Sequence, residues 1–181
     1  CFGTFIYSVE DAYENELENI IGVYTESGIP IIAALANEEI AHAILIIGHT
    51  NDGDIDFDIQ TTKKLNLNGK EIDYIDYSDI PKKFVVQDDN LPPYQLISLD
   101  NPVEHYEGKD ETFLGSTIAS IVVPLYKKIY LEADKAKKLV LNIVKDVDFG
   151  FQFDNYFVFR FYLTSSRSYK AHIAKLPKLD A

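Results

Sequence analysis

One histidine opens the longest apolar segment of the chain. His42 starts the run HAILIIG in residues 42–48, and a second apolar stretch, GIPII, lies before it in residues 28–32. An imidazole exchanges protons near neutral pH, so its natural chemistry is acid–base chemistry. A buried strand gains nothing from a polar ring at its first position, because that ring must find hydrogen-bond partners. His42 is therefore either an incidental residue at a strand end or a residue that the sheet is built to hold.

The other residues that could do chemistry do not predict a metal site. His49, His105 and His172 show no pairing at helical spacing and no HExxH motif, and His49 is predicted on the opposite, solvent-facing side of its strand. The acidic run in residues 52–58 resembles a calcium loop but lacks a glutamate at the required spacing. Cys1 is the only cysteine, which excludes an intrachain disulfide and a cysteine zinc site. We predict no metal and no cofactor.

The elements that must position these residues indicate an α+β fold, with a mostly antiparallel sheet and helices packed against it. Apolar residues at helical spacing predict a helix over residues 8–28, which Gly28 and Pro30 end. Strands are predicted over residues 1–7, 29–35, 41–49, 54–60, 83–87, 94–99, 119–125 and 156–163, and further helices over residues 132–147 and 165–176.

Two polar segments are predicted to be loops, and they help to divide the chain. These segments are residues 61–72 and residues 101–117. A boundary near residue 100 separates a strand-rich part, 1–100, from an α/β extension, 101–181, that is expected to pack on the same sheet. The helix over residues 132–147 is expected to bury one apolar face: Ala133, Ala136, Leu139, Val140, Ile143 and Val144.

The composition of the chain limits the classes of partner. Its 181 residues carry a net charge of −12, with a pI near 4.6. A surface of this sign repels phosphate backbones, so we predict no binding to nucleic acid. No apolar segment approaches the roughly 18 residues that a membrane-spanning helix needs, so we predict no membrane span.

The segments around His42 resemble the C-terminal half of papain-like cysteine peptidases. They are most similar to the bacterial branch related to the peptidases that process double-glycine leaders. In that family a strand of the pattern G-x-P-v-i precedes a strand of the pattern G-H-a-v-v-v-x-G. The matching residues here are 28–32 and 42–48, with Ala41 where the family has glycine. The resemblance covers residues 8–98 and implies a papain-like α+β fold.

The resemblance implies a role for His42 and for one carboxylate. The histidine of the family is the general base, and an Asp or Asn on a following strand orients its ring. Asp88 is the better match, because the apolar strand before it would bury its carboxylate against His42, whereas Asp58 lies in an acid-rich segment. An Asp-Asp-Asn segment also suits an ordinary turn. The implied catalytic residues are therefore His42 and Asp88, with Asp58 as the alternative to Asp88.

The nucleophile that the resemblance implies is a cysteine at the start of a helix, where the helix dipole lowers the pKa of the thiol. Cys1 is followed by a strand-like segment and lies closer to His42 than the family spacing requires. We therefore expect the nucleophile upstream of Cys1. A third possibility is that Cys1 is an N-terminal nucleophile with its own α-amine as base.

The function implied is that of a papain-like thiol hydrolase, a cysteine peptidase that cleaves peptide or amide bonds by acyl transfer. Its partner would be a peptide or protein substrate. The alternative is a catalytically inactive papain-like domain that acts as a binding module. The identity of the substrate, the oligomeric state and the compartment stay open, and a bacterial origin is implied by the resemblance alone.

Overall fold

The computed structural model describes residues 3–8, 14–50, 62–67, 69–80, 83–125, 131–145, 157–164 and 166–175. Its strands are β1 (Gly3–Ser8), β2 (Ile31–Ala36), β3 (Ala41–Thr50), β4 (Thr62–Leu67), β5 (Lys70–Asp76), β6 (Lys83–Gln87), β7 (Gln95–Ile97), β8 (Thr117–Leu125) and β9 (Phe157–Phe159). Its helices are α1 (Glu14–Glu26), α2 (Ala133–Val144) and α3 (Ser166–Ile173). The predicted α+β class, with a mostly antiparallel sheet and a few helices, is confirmed.

Six strands form one sheet in which every neighbouring pair is antiparallel. The order across the sheet is β1-β8-β2-β3-β6-β7. β2, β3 and β6 are neighbours in the sheet, whereas β8 comes from the second half of the chain and lies between β1 and β2. None of the helices in the described ranges is long and apolar enough to cross a membrane.

The main core lies on one face of this six-stranded sheet. α1 contributes Ile21 and Tyr24, both fully buried, to the core cluster that they share with the strands. Successive side chains of a strand point to opposite faces, so the strands bury alternate residues, as Ile31 and Ala33 of β2 do. Burial of a large apolar side chain contributes roughly 1.5–3 kcal/mol. Between the two buried residues of β2, Ile32 is 41% exposed on the opposite, outer face.

A β-bulge in β3 turns His49 toward the core. In the pairing of β3 with β6 the register shifts by one residue between Ile46 and Gly48, which leaves one extra residue in β3. Alternation counted from His42 predicts His49 on the solvent-facing side, and that prediction is wrong. The His49 side chain is 8% exposed, and its Nε2 lies 2.6 Å from Oε1 of Glu26 in α1.

β4 and β5 pair antiparallel although their composition is polar. β4 pairs antiparallel with β5, and β9 pairs parallel with β5. The loop predicted over residues 61–72 is wrong for the residues that the structure describes there. Alternate apolar side chains of the two strands form a second small core: Leu65, Leu67, Ile72 and Tyr74. Gly69 has a φ of 81°, a left-handed conformation that glycine adopts at little cost in a tight turn.

α2 buries only part of the face that its apolar spacing predicts. Ala133 and Ala136 are buried as predicted, whereas Leu139 and Ile143 are more than half exposed. Lys137, on the buried side, forms an ion pair with the buried carboxylate of Asp76 at the end of β5. The helix thus packs through small residues, through Leu141 and Val144 against the second small core, and through one charged pair. The apolar spacing indicates neither Leu141 nor the charged pair.

Candidate active site

The structure brings His42 and Asp88 together at one end of the six-stranded sheet. His42 is the second residue of β3, and Asp88 directly follows β6, the neighbouring strand. By strand alternation both side chains lie on the core face, in line with Ile44 and Val86. His42 Nε2 lies 2.9 Å from Asp88 Oδ1, within hydrogen-bond distance. The Asp88 side chain is fully buried, and that of His42 is 16% exposed.

Asp88 accepts four hydrogen bonds, two at each carboxylate oxygen. Oδ1 accepts from His42 Nε2 at 2.9 Å and from the backbone N–H of Asn90 at 3.0 Å. Oδ2 accepts from the hydroxyl of Tyr106 at 2.6 Å and from Nε2 of His105 at 3.1 Å. Burial raises the pKa of the Asp88 carboxyl, but the hydrogen bonds outweigh burial and lower that pKa to about 2. Asp88 is therefore ionised at neutral pH.

This network determines which nitrogen of His42 can take up a proton. A carboxylate only accepts hydrogen bonds, so Nε2 of His42 carries the hydrogen that it donates to Asp88. The neutral ring is then in the tautomer whose free lone pair is on Nδ1. No group in the described part of the chain forms a hydrogen bond with this Nδ1. The ring is thus held at one nitrogen and able to accept a proton at the other.

An aromatic side chain packs against both His42 and the network behind it. The rings of Phe113 and His42 meet edge to face, with centroids 5.4 Å apart and planes at 68°. Phe113 also stacks on Tyr106, with centroids 4.1 Å apart. Phe113 therefore limits the rotation of the imidazole and links it to Tyr106.

A cavity of about 600 Å³ lies beside the pair. Its polar wall is formed by four residues, His42, Gln87, Asp88 and Asp89. The remaining wall consists of small and apolar residues: Ile32, Ala43, Ile44, Leu45, Leu91 and Pro93. The carboxylate of Asp89 is 85% exposed, and its Oδ1 lies 3.5 Å from His42 Nε2. The volume falls in the range of ligand-binding cavities, roughly 300–1,000 Å³.

Three of the four polar residues of this wall form a cluster that suits proton transfer better than metal binding. His42, Asp88 and Asp89 offer ligand atoms that lie within 4.8 Å of one another. However, four donors already occupy the acceptor positions of Asp88. Nε2 of His42 also carries the hydrogen that it donates to Oδ1 of Asp88, so this nitrogen has no free lone pair for a metal ion.

The predicted site and the observed site differ in two ways. Asp58 and Cys1 lie outside the described residues, so their proposed roles stay predictions. His105 and Tyr106 form a 3-10 turn inside the segment predicted as a loop. A His-Tyr pair in an otherwise polar loop was the available signal, and a single turn has no periodicity that would show where its side chains point.

No protein-family model, curated protein or solved structure matches this chain. Its function must therefore be inferred from the geometry around His42.

Proposed function

We propose that the protein is a papain-like thiol hydrolase, a cysteine peptidase that cleaves peptide or amide bonds by acyl transfer. The observation that carries the proposal is the hydrogen bond from His42 Nε2 to Asp88 Oδ1, which leaves Nδ1 as a proton acceptor beside a cavity. The resemblance of residues 28–48 to the strands that hold the histidine in that family adds to it. Asp88 is the orienting carboxylate in this proposal.

The proposed reaction uses His42 first as a base and then as an acid. Nδ1 of His42 removes the proton of a cysteine thiol, and the thiolate attacks the carbonyl carbon of the substrate. The C–N bond breaks as the imidazolium returns this proton to the leaving amine, which leaves a thioester. Water, deprotonated by His42, then hydrolyses the thioester and restores the thiol. Asp88 stays ionised and stabilises the imidazolium through Nε2.

The thiol of this reaction lies outside the described residues. These residues contain no cysteine, and Cys1 is the one cysteine of the sequence. The proposal therefore requires a cysteine thiol within reach of His42 Nδ1, and the first experiment must identify that thiol.

Alkylation of the intact protein with iodoacetamide over a pH series, followed by peptide mapping, tests the thiol–imidazole pair. One cysteine should react rapidly well below the ordinary thiol pKa of about 8.5, and this reactivity should be lost in His42→Ala. Hydrolysis of a peptide library should fall roughly 10²- to 10⁴-fold in the same variant. His49→Gln is the matched control, because it changes the other histidine of β3, which does not line the cavity, and it should retain both properties.

Two results would contradict the proposal. Uniformly slow alkylation without hydrolysis would favour the alternative function, a catalytically inactive papain-like domain that binds a partner through the same cavity. Undiminished hydrolysis in His42→Ala would place the reaction at another site.

A further inference from the structure

We infer that Tyr106 and His105 are positioning residues for His42, which they serve by holding the carboxylate of Asp88 in one orientation. The catalytic meaning of this inference rests on the proposed function, but the geometry can be tested without a substrate. Neither Tyr106 nor His105 lines the cavity beside His42. Each of them acts on the imidazole through Asp88.

Tyr106 makes the shortest contact with the carboxylate. Its hydroxyl donates to Asp88 Oδ2 at 2.6 Å, and the residue is 1% exposed. Its backbone is fixed on both sides, because its N–H donates to the carbonyl of Val103 and its carbonyl accepts from the N–H of Lys109, both at 2.9 Å. Its ring stacks on Phe113. Tyr106 is therefore a donor with little freedom to move.

His105 supplies a second donor to the same carboxylate oxygen. Its side chain is 2% exposed, and its Nε2 lies 3.1 Å from Asp88 Oδ2. Its Nδ1 is buried without a hydrogen-bond partner among the residues that the structure describes. A buried polar atom left unpaired lowers stability, so an apolar side chain would serve packing alone at least as well. Compared with an apolar side chain, the imidazole of His105 provides one additional interaction, its hydrogen bond to Asp88.

The position of His42 depends on which carboxylate receives its Nε2 hydrogen. Rotation of the Asp88 carboxylate would carry Oδ1 away from His42, and two donors on Oδ2 oppose that rotation. Asp89 is a competing acceptor, since its Oδ1 is 3.5 Å from the same Nε2 and its side chain is 85% exposed. If the His42 ring turned toward Asp89, it would lose its hydrogen bond to Asp88 and the orientation that this bond fixes. Tyr106 and His105 therefore keep the imidazole on the buried carboxylate.

The substitution Tyr106→Phe tests this inference, because it removes the hydroxyl and keeps the ring on Phe113. We expect the pKa of Asp88, followed by ¹³C NMR of its carboxyl, to rise from about 2 by about one pH unit. We also expect ¹⁵N NMR of His42 to show that the neutral ring no longer stays in a single tautomer. Tyr169→Phe, at an exposed tyrosine of α3, is the matched control and should change neither signal.

Two variants of His105 separate positioning from packing and keep the test decisive even where Tyr106→Phe does not fold. Glutamine retains an N–H donor that can reach Oδ2, so His105→Gln should keep most of the single tautomer of His42. Leucine has no donor, so His105→Leu should shift the His42 signals in the way that Tyr106→Phe does.

Kinetics then connect the geometry to catalysis. Because Tyr106 is not in the cavity wall, Tyr106→Phe should lower kcat and leave KM nearly unchanged. Unchanged NMR signals of Asp88 and His42 in both Tyr106→Phe and His105→Leu would overturn the inference. NMR shifts in a protein that hydrolyses nothing would overturn the proposed function and leave the positioning role intact.

Discussion

Asp88 accepts hydrogen bonds at both of its side-chain oxygens, because four donors surround its carboxylate. Asparagine has the same shape, but its amide nitrogen would bring N–H donors toward groups that are already donors. Under the proposed function, we expect Asp88→Asn to lower kcat/KM roughly 10²- to 10⁴-fold, measured on a peptide identified in the library experiment. Asp58→Asn is the matched control and should leave kcat/KM unchanged. The reverse result would identify Asp58 as the orienting carboxylate.

The sequence allowed the pair of His42 and Asp88 to be predicted, but not the residues behind it. Each member of the pair adjoins a strongly apolar strand, and antiparallel neighbours bring such strand ends together. His105 and Tyr106 reach Asp88 from a loop, and the path of a loop follows from tertiary contacts that no local pattern records.

Glu26 connects three separate elements at the end of α1. Its Oε1 lies 2.6 Å from Nε2 of His49 in β3, and its Oε2 lies 2.9 Å from Nη2 of Arg160, directly after β9. The Glu26 side chain is 12% exposed, so water replaces these contacts poorly. We expect Glu26→Gln to lower the free energy of unfolding, measured in urea, by about 1–3 kcal/mol, because a neutral amide binds both partners less well.

An exposed glutamate provides the control for that substitution. Glu38 lies in the turn between β2 and β3 and is exposed. Glu38→Gln should change the free energy of unfolding by less than about 0.5 kcal/mol. An equally small change in Glu26→Gln would mean that the contacts of Glu26 do not stabilise the fold measurably.

Strands could be predicted where apolar residues dominate their sequence. They could not be predicted where strand formation, or the face on which a side chain lies, depends on the neighbouring strand. β2, β3 and β6 carry continuous apolar runs, so their existence follows from composition. In β4 and β5 the apolar residues alternate with lysine, asparagine and glutamate residues, so the overall composition of the segment is polar. The bulge that turns His49 inward arises only when β3 meets β6, so counting along β3 alone gives the wrong face.

Acid should lower the free energy of unfolding, and a defined part of this loss should depend on Asp88. The pKa of Asp88 is about 2 in the folded protein, below its ordinary value of 3.8, so its contribution to stability is complete above about pH 4 and is lost as the pH falls toward 2. The size of this shift corresponds to roughly 2 kcal/mol. Between pH 4 and pH 2, the free energy of unfolding of the natural protein should therefore fall by that much more than that of Asp88→Asn.

Asp89 is the control for this pH dependence. Its side chain is 85% exposed, and Asp89→Asn should show the same loss of stability between pH 4 and pH 2 as the natural protein. Equal slopes for all three proteins would show that the buried network does not bind the ionised form of Asp88 more strongly than water does.

The position of β8 between β1 and β2 has a consequence for the order of events during synthesis. β2, β3 and β6 lie within residues 31–87 and can pair as soon as those residues leave the ribosome. β1 pairs with β8, so it must wait until residue 125 has been made, and closing a loop of about a hundred residues is slow. We therefore expect His42 and Asp88 to meet on the nascent chain before its sheet is complete.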